Sequence, residues 1–253
     1  TKNRIFGADE YTEPVFVGEA DNLPQKYEFT AAGFKGWNVI DVNGSEETWK
    51  PLVEDERNTA QMYAYDHTAD CWLISRPFKL EAGNTYRAKF DAKAEFSFLP
   101  AEMEVWILKD GNRQNGKLQL KETVKNTLFS PRSVEFTAAE TGDYSLAFRC
   151  LSSISGARLN IADPEVEEFY DADMAVDELT VTKYPVAGKS YQQQVVVRNN
   201  GSKPQTAYTV NLLQRKADGS SQVLLSAKPG VTLAPDSTVT VKFNLNCTAE
   251  GPL

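Results

Sequence analysis

The sequence predicts an all-β protein built as two β-sandwich domains, and three observations carry that prediction. Apolar and polar residues alternate with a period of two along most of the chain. Turn signals such as Asp110-Gly111, Asn115-Gly116, Thr141-Gly142-Asp143 and Asp218-Gly219 separate the alternating runs. From Met174 onward the runs become shorter and simpler, which marks a change of module.

In the first half, Tyr86, Ala88, Phe90 and Ala92 alternate with Arg87, Lys89, Asp91 and Lys93, as in a strand with one buried and one solvated face. Tyr144, Leu146, Phe148 and Cys150 repeat the pattern against Ser145, Ala147 and Arg149. Further strands are expected at Trp72–Ser75, Met103–Leu108, Lys117–Lys121, Arg132–Thr137 and Arg158–Ile161. In the second half they are expected at Glu178–Thr182, Tyr191–Arg198, Ala207–Gln214, Gln222–Ser226 and Thr238–Leu245. Residues 1–18 carry no such pattern and read as a lead-in segment, followed by a domain over 19–170 and a second over 171–253. The boundary region, Asp163 to Glu178, holds eight acids in sixteen residues without a Lys or Arg, more than internal pairing is expected to neutralise.

A net charge of -8 and a pI near 4.9 argue against nucleic acid or an anionic membrane surface as partner, because both repel an acidic protein that lacks a basic patch. No apolar run reaches the ~18 residues of a membrane span. Thr1-Lys2-Asn3-Arg4 leads into no apolar segment, so any secretion signal is expected to have been removed. Cys71, Cys150 and Cys247 are too few and scattered for a disulfide scaffold or a CxxC metal site. A Cys71–Cys150 bridge stays open, but Cys71 has the opposite parity to Trp72 and Ile74, which favours buried thiols.

Little in the chain spells catalysis. His67 is the only histidine, it sits in Tyr65-Asp66-His67-Thr68, and no G-x-S-x-G nucleophile signature accompanies it. Gly188-Lys189-Ser190 lacks the upstream glycine of a phosphate loop, since position 183 is Lys183. The aromatic residues are more informative. Trp37 and Trp72 read as core, whereas Trp49, Tyr63 and Tyr65 fall in what looks like an irregular segment, Trp49–Asp70, where binding residues concentrate.

The run Gly36-Trp37-Asn38-Val39-Ile40-Asp41-Val42-Asn43-Gly44, followed by Trp49, Trp72-Leu73-Ile74-Ser75 and Ala82-Gly83-Asn84-Thr85-Tyr86, resembles the bacterial cleaved adhesin or choice-of-anchor J domains, which are related to MAM domains. That resemblance implies a jelly roll for the first domain. The second half, over Val195 to Leu212, resembles bacterial cell-adhesion-related immunoglobulin-like domains, and the chain stops at Leu253 before the closing strand such a sandwich adds, so this module is expected to be truncated or completed from elsewhere.

The resemblance also implies a calcium held by Asp41 and Asn43, by Glu28 and by Asp163, where this chain reads Ala162-Asp163 in place of the family's Asp-Asp pair. Oxygen donors at alternate positions around a glycine suit a hard cation. The same loop reads equally as a turn in which Asp41 and Asn43 satisfy local backbone groups. The function expected is a non-catalytic, secreted or cell-surface adhesin-like protein that binds a glycan or an extracellular protein, with Trp49, Tyr63 and Tyr65 at the ligand and calcium supporting the first domain. The alternatives are an accessory binding region of a larger secreted peptidase or glycosidase, and a structural spacer.

Overall fold

The computed structural model describes residues 20–30, 33–34, 36–44, 48–54, 56–65, 69–182, 186–216 and 218–247. The lead-in over 1–18, His67, Lys183, and the tail where a closing strand is expected to be missing lie outside these. The chain divides into two compact units, Thr1–Glu168 and Phe169–Leu253.

The first unit is a sandwich of two six-stranded antiparallel sheets. Its strands are β1 (Gln25–Lys26), β2 (Trp37–Asp41), β3 (Lys50–Glu54), β4 (Arg57–Ala64), β5 (Cys71–Ser75), β6 (Phe78–Leu80), β7 (Thr85–Ala94), β8 (Ala101–Lys109), β9 (Gly116–Val124), β10 (Ser130–Thr137), β11 (Gly142–Cys150) and β12 (Ala157–Glu168). Sheet I has the order β10-β7-β12-β4-β3, with β1 beside β12; sheet II has the order β2-β5-β11-β8-β9, with β6 beside β11. The chain passes repeatedly from one sheet to the other, the path of a jelly roll.

The core lies between the sheets. Alternation puts Met62, Ala64, Tyr86, Ala88, Phe90, Ala92, Leu159 and Ile161 of sheet I against Leu73, Met103, Val105, Leu146 and Phe148 of sheet II, and all are buried. Trp37 joins this core, its ring 6.2 Å from that of Phe148. Strand β5 is buried on both faces, because Trp72 and Ile74 belong to a second apolar cluster on the outside of sheet II with Leu108 and Ala147. That double burial removes the information from parity. Cys71 in fact lies on the core side, directly opposite Cys150 in the β5–β11 register, and neither forms a disulfide. Burial pushes the Cys150 thiol up to about 12 and that of Cys71 higher still, so both stay protonated.

The acidic boundary proves far better neutralised than its sequence suggests. Glu167 meets Arg87 and Lys89, Glu165 meets Lys89 and Lys26, Asp163 meets Arg57, Asp171 meets Lys203, and Asp177 meets Arg198. Lys26, Arg57, Arg87 and Lys89 come from strands far away in the sequence, which only the register reveals.

The second unit holds β13 (Met174–Thr180), β14 (Lys189–Asn199), β15 (Val210–Arg215), β16 (Ser221–Ala227) and β17 (Thr238–Cys247). A three-stranded sheet, β13-β14-β17, and the β15-β16 hairpin enclose Val195, Val197, Val241 and Phe243, with Leu212 and Leu225 packed against them.

Candidate binding face on sheet I

The residues expected at the ligand part company. Trp49 is only 3% exposed: it packs into the main core and its indole Nε1 donates to the Cys71 carbonyl at 3.2 Å. It is therefore a structural residue, a correction that follows from the strand β3 beginning immediately after it. Tyr63 is not in an irregular segment either, since β4 carries it. Its neighbours Met62 and Ala64 point into the core, so Tyr63 and Tyr65 point outward, and Tyr65 is 57% exposed. Their rings form an edge-to-face pair with centroids 5.5 Å apart.

What surrounds that pair comes from elsewhere in the chain. Arg158 on β12 stands opposite Tyr63 in the register, and its guanidinium carbon lies 4.4 Å from the Tyr63 ring centroid. On the other flank, Glu95 donates its backbone N–H to the Arg158 carbonyl at 3.2 Å, extending β7 and bringing the tight turn Phe96–Leu99 alongside. Phe96 lies 5.8 Å from the Arg158 guanidinium and 5.4 Å from the ring of Phe98, which is 74% exposed. The turn entering β12 completes the arrangement. Gly156 takes φ +85°, a conformation glycine adopts without cost, while its N–H bonds Ala64 and Ser155 bonds the Tyr65 carbonyl.

Further along the same outer face the residues are polar. Gln61 donates to Asn160 Oδ1 at 2.9 Å, and Asn160 lies between Gln61 and Lys93 in the register. Lys93 and Glu54 meet in an ion pair that spans the two intervening strands, three strand spacings of ~4.8 Å. Phe129, on the loop before β10, supports this pair and Arg57: its ring centroid lies 5.1 Å from Lys93 Nζ and 4.6 Å from the Arg57 guanidinium carbon. Arg57 in turn holds Asp91 at 2.7 Å and also Asp163. Three buried polar atoms of this face have no hydrogen-bond partner among the described residues: Arg158 Nε, Asn160 Nδ2 and Glu54 Oε2. Buried polar atoms are nearly always satisfied, and an unsatisfied one typically costs ~1–3 kcal/mol, so three on one face mark it for a ligand or ordered water.

The four residues expected at calcium are divided. Asp163 sits at the β-bulge of β12 with φ 48°, turned toward Arg57. Glu28 follows β1, whose neighbour Tyr27 bonds Pro164 of that bulge at 2.9 Å, and Glu28 is exposed. Asp41 lies instead in sheet II opposite Cys71, where its Oδ1 accepts the Gly44 amide at 3.1 Å; Asn43 stands exposed in that turn. Trp49 ties Cys71 to the start of β3, which pairs with Gln61, whereas Asp163 binds Arg57 four residues away along β4, ~13 Å at strand rise. Among the described residues no group of three or more His, Cys, Asp and Glu is placed to hold a metal ion.

Arg158, Phe96 and Phe98 carry no sequence signal that marks them for this face; only the β12–β4 register and the turn after β7 bring them to Tyr63. No family model and no curated protein matches the chain. Among solved structures it is similar to a cleaved adhesin domain of Lys-gingipain from Porphyromonas gingivalis, at TM-score 0.45 and 18% identity over 53% of this chain and 90% of that one. A second such domain of the same protein is similar at TM-score 0.43 and 16% identity, over 52% and 89%. A xylan-binding CBM22 domain from Paenibacillus barcinonensis is similar at TM-score 0.42 and 12% identity, over 60% and 97%. These likenesses leave the function to the geometry of the face itself.

Proposed function

We propose that the first unit is a non-catalytic glycan-binding module and that its ligand lies on the outer face of sheet I, across Tyr63, Tyr65, Phe96, Phe98 and Arg158. The observation that carries this reading is the coincidence, on one sheet face, of exposed rings with a half-buried guanidinium that forms no ion pair with any described residue. Sugar rings present apolar C–H faces and a belt of hydroxyls, and such a face answers both with aromatic surface and fixed polar groups. Asp91, Asp163 and Glu54 are engaged by Arg57 and Lys93, which suits them to shaping the face rather than to moving a proton.

Extracellular or cell-surface placement follows from the same reading, since that is where such ligands are met. The second unit fits it as an immunoglobulin-like module with a three-stranded and a two-stranded sheet. Calcium enters only in reduced form: Asp41 and Asn43 are the oxygen donors that remain together, and Asp163 would serve a cation only by releasing Arg57. The test is a glycan array probed with the wild type and with a Tyr65→Ala, Phe98→Ala variant. Binding by the wild type that the double substitution abolishes supports the reading, and binding unaffected by it places the ligand elsewhere.

A further inference from the structure

Arg158 differs from the arginines around it. In the first unit Arg57, Arg76, Arg87, Arg132 and Arg149 each reach a carboxylate at 2.6–2.8 Å. Arg158 makes no ion pair with any described residue, although the chain carries an excess of acids. It is half-buried, and among the described residues its Nε has no hydrogen-bond partner and its charge rests against the rings of Tyr63 and Phe96. Holding a cation there without a counter-ion is unfavourable, and a cation–π contact offsets only part of that.

We propose, building on the glycan reading above, that this site takes an acidic sugar: a glycan whose carboxylate, from a uronic or sialic acid residue, pairs with Arg158. The rings of Tyr63 and Phe96 fix the guanidinium plane in advance, and its planar fork matches a carboxylate in two parallel hydrogen bonds. Asn160, two residues on in the same outward row of β12, is fully buried and accepts from Gln61, so it supports the strand beneath the site while Arg158 meets the carboxylate. Tyr65 and Phe98, the exposed members of the two ring pairs, stack on sugars to either side of the acid. The acidic surroundings of the chain then favour only ligands that place their carboxylate at Arg158, which gives selectivity as well as affinity.

Calorimetric titration of the full chain with an oligogalacturonate, with a sialylated oligosaccharide, with their carboxyl-reduced neutral counterparts and with a sulfated oligosaccharide tests this. The expected result is that at least one carboxylated sugar binds about tenfold or more tighter than its neutral counterpart at low salt. That preference weakens as salt rises. It disappears in Arg158→Gln, while Arg158→Lys keeps part of it. Thermal melting of both variants is expected within a few degrees of wild type, because neither substitution breaks an ion pair. Equal affinity for acidic and neutral sugars, a preference for sulfated over carboxylated ones, or a preference that survives Arg158→Gln overturns the inference. If neutral sugars bind and are lost in Tyr65→Ala, Phe98→Ala, the glycan face stands and only its acidic selectivity fails. If no glycan binds, both fall.

Discussion

The two outer faces of the first unit start from similar materials and end differently. On sheet II, Trp72 and Trp106 lie 5.5 Å apart, and around them Arg149 joins Asp70 and Glu104 while Glu104 also holds Lys121 and the Trp106 indole N–H. Arg149 and Arg113 lie over the Trp72 ring, at 5.0 and 5.9 Å. The start of β9 presses against Trp106 and Leu108 so closely that a Cβ at Gly116 would approach Leu108 to 2.5 Å. On sheet II the rings are thus largely covered and the central charges are paired, although Ser145 Oγ is buried there without a partner among the described residues. On sheet I, Tyr65 and Phe98 stand out in solvent, and Arg158 between the ring pairs has no carboxylate partner among the described residues. Trp49, the tryptophan expected at the ligand, is structural like Trp37 and Trp72, while a tyrosine pair and two phenylalanines carry the proposed site.

The contrast is broken most forcefully by deleting a ring from each side. Trp72→Ala is expected to cost about 3–5 kcal/mol in denaturant unfolding, because it empties a closed cluster. Tyr65→Ala and Phe98→Ala are expected to change stability by no more than about 1 kcal/mol, because each ring is mainly in solvent. A comparable loss on both faces would mean that the sheet I rings are packing residues too.

Acid titration sharpens the picture at the polar end of sheet I. Burial alone would raise the Glu167 carboxyl, but hydrogen bonds from Lys89 and Arg87 outweigh it and hold it below the ordinary range. A depressed carboxylate stabilises the fold above its unfolded value and loses that contribution as pH falls through the folded one. The melting temperature should therefore drop as pH is lowered below ~4.3, and Glu167→Gln should melt lower at neutral pH with a shallower acid slope. An unchanged slope would mean that other carboxylates govern the acid limit.

The smallest effect expected is that of calcium. With Asp163 on Arg57 and Asp41 on the Gly44 amide, millimolar calcium should leave the melting temperature of metal-stripped protein nearly unchanged. A rise of several degrees would show that the Asp41 loop and the β12 bulge rearrange around a cation.

Much of the fold was legible in the sequence, because period-two alternation reports a half-buried strand directly. The alternating run from Tyr86 became β7, and those at Thr238 and Tyr144 became β17 and β11. What stayed hidden has physical causes. The core side of β4 is Ala60, Met62 and Ala64, small or unbranched residues with little strand preference, so Arg57–Ala64 read as irregular. The strand β3, Lys-Pro-Leu-Val-Glu at the edge of its sheet, has no apolar alternation to betray it. With both strands unseen, Trp49 looked like a loop residue, and the partners of Tyr63 had no route to it. Of the face proposed for the ligand, Tyr63 and Tyr65 were readable as candidates; Arg158, Phe96 and Phe98 were not, because their meeting depends on pairing between segments some ninety residues apart in the chain.

The central claim is that the ligand lies on sheet I and not on sheet II, and one measurement bears on it most directly. The tightest glycan found is titrated by calorimetry into the wild type, into Tyr65→Ala, Phe98→Ala, and into Trp106→Phe, which trims the partly exposed tryptophan of the other face while keeping it covered. The account predicts that affinity collapses in the sheet I variant and is unchanged in the sheet II variant. Affinity lost in Trp106→Phe and retained in Tyr65→Ala, Phe98→Ala would contradict it.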